Sequence, residues 1–223
     1  MLLNELTRYY DFDPSVSSKI STYYNHKSQK KLGIDIKSDD QLQNSLAKLG
    51  WKRAGHGGYS NVFENPSKNY ILKVNYYPDS AFAWFALLTR KFPNPHFPKI
   101  GNMKYFHLKG KINHYHVYLI EKLHQIPSTY TWYAEYTVFK MITLAAKDSD
   151  SKELEEALED AKDTSHVKGG TIYEYLQKNP KFLDALRIIG ICASRNKFSI
   201  DLHTENIMAR NDGTFVLTDP LAK

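Results

Sequence analysis

Three oxygen-bearing side chains near the C-terminus, Asp201, Asn206 and Asp219, have a spacing that suits metal-assisted chemistry on a phosphate. Asp201 and Asn206 lie five positions apart in Asp201-Leu202-His203-Thr204-Glu205-Asn206, and Asp219 follows Asp201 by eighteen. Ile207 and Met208 lead into a strand, Asn211-Asp212-Gly213 turns the chain, and Thr214 to Thr218 returns as a second strand. Such a strand–turn–strand unit presents all three ligands at one end. Carboxylate and amide oxygens suit Mg2+, which takes few protein ligands and shares its remaining positions with phosphate. A polar hairpin whose Asp and Asn only build turns would use the same residue types. The choice between the two rests on what stands upstream.

Upstream, from Trp51, the periodicity becomes that of short strands. Trp51-Lys52-Arg53-Ala54 runs into Gly55-His56-Gly57-Gly58-Tyr59-Ser60 and then Asn61-Val62-Phe63-Glu64. Asn65-Pro66-Ser67-Lys68-Asn69 turns into Tyr70-Ile71-Leu72-Lys73-Val74. Glycines without Cβ atoms let a turn fold tightly and bring N–H groups up to phosphate oxygens. Lys73 on the third strand, between Leu72 and Val74, suits an ammonium that holds phosphates. A lone Gly-x-Gly is as often a plain hairpin turn. Its weight comes from the order of the parts: glycine turn, strand Lys, Asp…Asn, then Asp. The Gly-x-x-x-x-Gly-Lys-Ser/Thr pattern of the other large phosphate-binding class is absent from the sequence.

In that order the parts resemble protein kinases and aminoglycoside-type phosphotransferases, which share the Asp-x-x-x-x-Asn catalytic loop and a metal-binding Asp after it. The resemblance implies ATP and Mg2+ as cofactors. It makes Asp201 the base that orients the attacking hydroxyl, Asn206 and Asp219 the metal ligands, and Lys73 the phosphate-binding cation. His203 stands two residues after Asp201, where protein kinases carry Lys, and would donate to the γ-phosphate. Gly55, Gly57, Gly58, Tyr59, Ser60 and Val62 would cover the nucleotide, and Glu121 and Leu123 would border the adenine. Asp201-Leu202-His203-Thr204-Glu205-Asn206-Ile207-Met208 and Thr218-Asp219-Pro220 are similar in detail to the early serine/threonine protein kinases of T-seven-type bacteriophages. That likeness, from about Trp51 to Leu221, implies a kinase that phosphorylates host proteins and itself in the bacterial cytoplasm, commonly transcription or RNA-processing components.

The expected fold is therefore α+β and two-lobed. A helical extension covers 1–50, an antiparallel-sheet N-lobe 51–123, and a small, truncated helical C-lobe 124–223. Within the extension, Ser38 and Gln41 resemble a capping box for a helix carrying Leu42, Leu46 and Leu49 and ending at Gly50. Asp79-Ser80 caps an apolar helix, Ala81 to Leu88, in the place where kinases supply a Glu to the strand Lys. This helix has none. Pro93, Pro95 and Pro98 make a stiff loop, and strands follow near Ile100–Leu108 and His114–Ile120. Helices are expected from Thr131 to Lys147, from Ser151 to Asp163 with an acidic solvated face, and from Pro180 through Ile191. Pro220 replaces the Phe of Asp-Phe-Gly, and with four residues after Asp219 no activation segment is expected.

Composition narrows the alternatives. The chain has 223 residues, a formal net charge of +6 and 13% aromatic residues, ample for a core and mildly suited to anionic ligands. No aromatic-laced basic stripe points to nucleic acid. One cysteine, Cys192, excludes an internal disulfide, and its apolar helical setting marks it as core. No signal peptide or membrane span is read. Two further readings fit the residues: a small-molecule phosphotransferase, motivated by His203, and a non-catalytic kinase-shaped protein that binds a host factor, motivated by the missing helix Glu.

Overall fold

The computed structural model describes residues 39–58, 60–75, 79–101, 104–107, 114–126, 139–144, 152–162, 172–203 and 205–223. Most of the N-terminal extension, Tyr59, Thr204 and the greater part of the expected Thr131–Lys147 helix lie outside them. The described chain mixes helix and sheet, in two compact units. The first comprises Met1–Asn65, Leu72–Pro78 and Asn102–Tyr118, and the second Pro66–Ile71, Asp79–Gly101 and Leu119–Lys223.

In the first unit, α1 (Asp39–Lys48) is followed by β1 (Lys52–His56) and β2 (Ser60–Glu64). Gly50 ends the helix at φ +82°, a conformation that costs residues with a Cβ. The side-chain amide of Asn65 donates to the Leu49 carbonyl at 3.2 Å, satisfying one of the helix's last acceptors. Leu42 is buried, whereas Leu49 lies 62% exposed, so the expected apolar stripe is shorter than its leucines suggest. β1 and β2 pair antiparallel, with Arg53 opposite Phe63 and Gly55 opposite Val62, which leaves Ala54 as a bulge.

β3 (Tyr70–Asn75), β4 (Lys104–His107) and β5 (His114–Glu121) complete a five-stranded sheet in the order β1-β2-β3-β5-β4. β4 and β5 pair antiparallel from Lys104 opposite Val117 to His107 opposite His114. From Leu72 to Asn75 every residue of β3 is buried. Such a strand lacks the in–out alternation of a half-exposed sheet, which explains its near-continuous apolar reading.

The first helix of the second unit is α2 (Ser80–Lys91), capped by the Asp79 carboxylate, which accepts the Phe82 N–H at 3.0 Å. It runs one turn beyond the expected Leu88. After β6 (His124–Gln125), residues 139–144 are helical, then come α3 (Lys152–Asp160), α4 (Ile172–Lys178) and α5 (Pro180–Asn196). On α3, Leu154 and Ala157 are buried and the glutamates face out, as the amphipathic pattern requires. α5 is buried over Phe182, Ala185, Leu186 and Ile188–Ala193, the pattern of a central helix. Phe182 is the hub of an aromatic core, edge-on to His96, Phe139 and Tyr175 with ring centroids at 4.9, 5.5 and 5.5 Å. β7 (Ser199–Ile200) pairs with β10 (Leu221–Ala222), and β8 (Ile207–Ala209) lies between β6 and β9 (Phe215–Leu217). Among the described residues no helix is long and apolar enough to cross a membrane.

Candidate active site

The loop from Asp201 to Asn206 hangs between two short pairings that fix both of its ends. α5 stops at Lys197, whose backbone enters the left-handed region at φ 56°, ψ 37°, while the Phe198 N–H bonds the Ala193 carbonyl at 3.0 Å. The reversed chain then pairs Ile200 with Leu221 and Ser199 with Ala222. Ile200 and Leu202 are both buried, flanking Asp201, which stays part-exposed. Beyond the loop, β8 and β9 pair Ile207 with Leu217 and Ala209 with Phe215. The turn between them has Gly213 at φ +83°, and the Asp212 carboxylate accepts the Thr214 N–H at 2.9 Å. That hydrogen bond holds the exposed Asp212 carboxyl below its ordinary pKa.

Asn206 is the pivot of the loop. It is buried, and its side-chain N–H2 donates to the Asp201 carbonyl at 2.7 Å, with Asp201 Oδ2 at 3.3 Å and His203 Nε2 at 2.8 Å. Its own carbonyl accepts the Thr218 N–H at 2.8 Å, and the Asp201 N–H reaches the Pro220 carbonyl at 2.9 Å. Asp219 is therefore held by backbone bonds on either side, one to Asn206 and one to Asp201. The two halves of the motif, far apart in sequence, are joined through the main chain. Since the amide N–H2 is committed within the loop, its Oδ1 is the atom left to offer a cation. An amide oxygen and a carboxylate, as on Asn206 and Asp219, are of the hard donor type that Mg2+ takes.

His203 lies across the same loop. Nδ1 is 3.3 Å from the Glu205 N–H, and Nε2 is 3.7 Å from Asp201 Oδ2. Both contacts come from N–H donors, the Glu205 main chain at Nδ1 and the Asn206 amide at Nε2, so the loop holds the ring from two sides. Through the Nε2 contact His203 helps to orient the Asn206 side chain.

Two residues that the motifs did not reveal hold this hairpin in place. The Arg210 guanidinium, just after β8, pairs with Glu121 at the end of β5 through Nε–Oε2 at 3.2 Å and Nη2–Oε1 at 2.6 Å. It also donates to the Phe97 carbonyl at 3.0 Å and to the Pro95 carbonyl. Glu121 Oε1 accepts the Lys99 N–H at 2.8 Å as well. His96 lies along the outer edge of β9: its carbonyl accepts the Leu217 N–H at 2.9 Å and its Nδ1 donates to the Phe215 carbonyl at 2.8 Å. Burial lowers the His96 pKa, with Arg210 and Lys181 adding to the effect and the Phe215 bond opposing it. The stiffness of the proline loop was visible in sequence. No periodicity could say that its carbonyls and His96 would serve the hairpin.

Glu121, expected to border the adenine, thus uses its carboxylate within the protein. Its N–H bonds the Lys99 carbonyl and that of Lys122 bonds Asn69, both at 3.0 Å, and Leu123 is buried. In the first unit, Gly57 closes the β1–β2 turn through its N–H to the Ser60 carbonyl at 2.8 Å. A Cβ on Gly58 would meet nothing within 4 Å, and one on Gly57 only the Ser60 hydroxyl at 3.6 Å. Packing does not demand glycine at either position. Ser60 is buried, Val62 is part-buried opposite Gly55, and Tyr59 lies outside the described residues. Lys73 is 7% exposed, a burial that lysine tolerates only with partners for its ammonium. The structure thus brings Asp201, His203, Asn206 and Asp219 together in the second unit, and Gly55, Gly57, Gly58, Ser60, Val62 and Lys73 belong to the first.

The chain is similar to the solved structure of the kinase PK-1 of Cydia pomonella granulovirus, at 15% identity and a TM-score of 0.38. The match covers 81% of this chain and 57% of that one, so this chain spans little more than half of that structure's length. No family model and no curated protein matches the sequence.

Proposed function

We propose that the chain is an ATP- and Mg2+-dependent phosphotransferase with a two-lobed, protein-kinase-like fold, acting on serine and threonine hydroxyls of proteins. The observation that carries this reading is the lock around Asn206. It ties the Asp201 loop to Thr218, next to Asp219, through 2.7 and 2.8 Å hydrogen bonds and leaves the Asn206 Oδ1 to offer a cation. A turn-building hairpin has no need of that cross-link. Bound Mg2+ would neutralise phosphate charge at Asn206 and Asp219.

Asp201, part-exposed beside that pair, accepts the proton of the attacking hydroxyl and orients it. The motif likeness gives Lys73 the role of a phosphate-binding cation, and in the first unit the turn through Gly57 and Gly58, where packing leaves room for side chains, suits a close backbone approach to phosphate. Since the Glu121 and Lys122 N–H groups are committed within the protein, the adenine contact falls to Leu123 and the carbonyls of this stretch. The motif likeness to phage early kinases gives the finer reading: host proteins as acceptors, with self-phosphorylation, in the bacterial cytoplasm.

The test is to incubate the protein with γ-labelled ATP, Mg2+ and bacterial lysate. Label in host proteins that disappears with Asp201→Ala is the expected result. Wild type that labels no more than Asp201→Ala sinks the reading. Turnover stimulated by an aminoglycoside or sugar, without protein label, assigns the acceptor to small molecules instead. Asp201→Ala is a clean control because the strongest bond Asn206 makes is to the Asp201 main-chain carbonyl, which the substitution keeps.

A further inference from the structure

Arg210 is a side chain whose environment exceeds what a surface residue requires. Its guanidinium makes a two-point pair with Glu121 and bonds to two carbonyls of the proline loop, Pro95 and Phe97. Arg210 and Glu121 side chains are only 22% and 17% exposed. A planar fork of donors with fixed geometry suits such a node, and Lys in its place would supply one point charge. Each end of the node leads to a different part of the proposed nucleotide site. Arg210 follows β8, whose other end continues directly from Asn206, and β8 pairs with β9, which leads to Asp219. Glu121 ends β5 and lies two residues before Leu123. Lys99, which donates to Glu121, belongs to the loop that also bonds β9 through His96.

We infer that the Arg210–Glu121 pair is a positioning device that sets the distance between the base-binding edge at Leu123 and the metal-binding end at Asn206 and Asp219. Base and metal-bound phosphates of one nucleotide are then recognised together. The inference rests on the phosphotransferase reading, and its distinctive consequence is coupling. In the wild type Mg2+ strengthens ADP binding because both halves of the site are engaged in register. Without the brace, each half keeps its own ligands and the coupling falls.

The experiment measures ADP affinity with and without Mg2+, and adenosine affinity, for wild type, Glu121→Gln, Arg210→Lys and Arg210→Ala. Circular dichroism and thermal melting establish the folded fraction. The expected result is that adenosine affinity changes little in the Arg210 variants, while the strengthening by Mg2+ drops by about tenfold in Arg210→Ala, the scale of a typical coupling between sites. Arg210→Lys and Glu121→Gln are expected to fall between. A merely structural role would lower the melting temperature and leave the Mg2+ effect intact in the folded protein. That outcome in the milder variants Glu121→Gln and Arg210→Lys overturns the inference even if Arg210→Ala fails to fold. Wild type that binds no nucleotide overturns the phosphotransferase reading itself, and the inference with it. Wild type that binds with a Mg2+ effect unchanged across the variants overturns the inference alone.

Discussion

At the scale of single residues, the second unit uses polar side chains as fasteners in places where an apolar core would be expected. His96 is the clearest case. It is 3% exposed, stacked edge-on to Phe182, and its Nδ1 proton is given to the Phe215 carbonyl. Burial and the nearby cations Arg210 and Lys181 favour the neutral ring, so its folded pKa lies below the ordinary 6.5. Below about pH 6.5 the unfolded chain gains a proton that the folded chain resists. Stability from this group is therefore fully present above 6.5 and is lost as pH falls toward the folded pKa. Melting temperatures recorded from pH 7.5 to 5 should show that loss. His96→Asn, whose amide Nδ2 can stand in for Nδ1 but does not titrate, should flatten the slope; an unchanged slope would place the acid sensitivity elsewhere. Cys192 follows the same logic without a pH signature in the neutral range. Burial pushes its thiol up to about 12, which agrees with the core role read from its helical neighbours.

At the scale of elements, helices were the most legible because their caps are local chemistry. Asp79 before the Ser80–Lys91 helix and Gly50 after the Asp39–Lys48 helix were both readable as stop and start signals, and both take those positions. The hairpin that carries Asp219 was equally clear, since Asn211-Asp212-Gly213 can do little else. The end of α5 was hidden, because Lys197 occupies a left-handed position that glycine normally fills. Lys197 is exposed and its side chain is not part of the loop it precedes. Lys197→Gly should therefore stabilise the protein by about 1 kcal/mol, the ordinary cost of a Cβ in that conformation. In a protein of 223 residues that is a rise of about 2–4 °C in the melting temperature. A fall in Tm would mean the lysine side chain contributes more than its backbone costs.

At the scale of the whole molecule, sequence order suggests the parts of a candidate site, and long-range pairing decides which of those residues are fastened together. Asp201, Asn206 and Asp219 could be named from spacing alone, and the cross-links from Asn206 to Asp201 and Thr218 give that spacing a physical cause. Arg210 could not be named, because its partners Pro95, Phe97 and Glu121 are about a hundred residues away and carry no spacing signal. The β1-β2-β3-β5-β4 order of the sheet was likewise beyond a reading of strands taken one by one. The central claim concerns chemistry at Asp201. It is tested most directly by single-turnover consumption of γ-labelled ATP by the purified protein at saturating Mg2+, with wild type and Asp201→Ala compared at equal nucleotide occupancy. The account predicts Mg2+-dependent transfer to the protein or to water that falls by about 10²–10⁴-fold in the variant, the usual contribution of a positioned base. Equal rates in the two proteins, or ATP left intact by wild type, would contradict it.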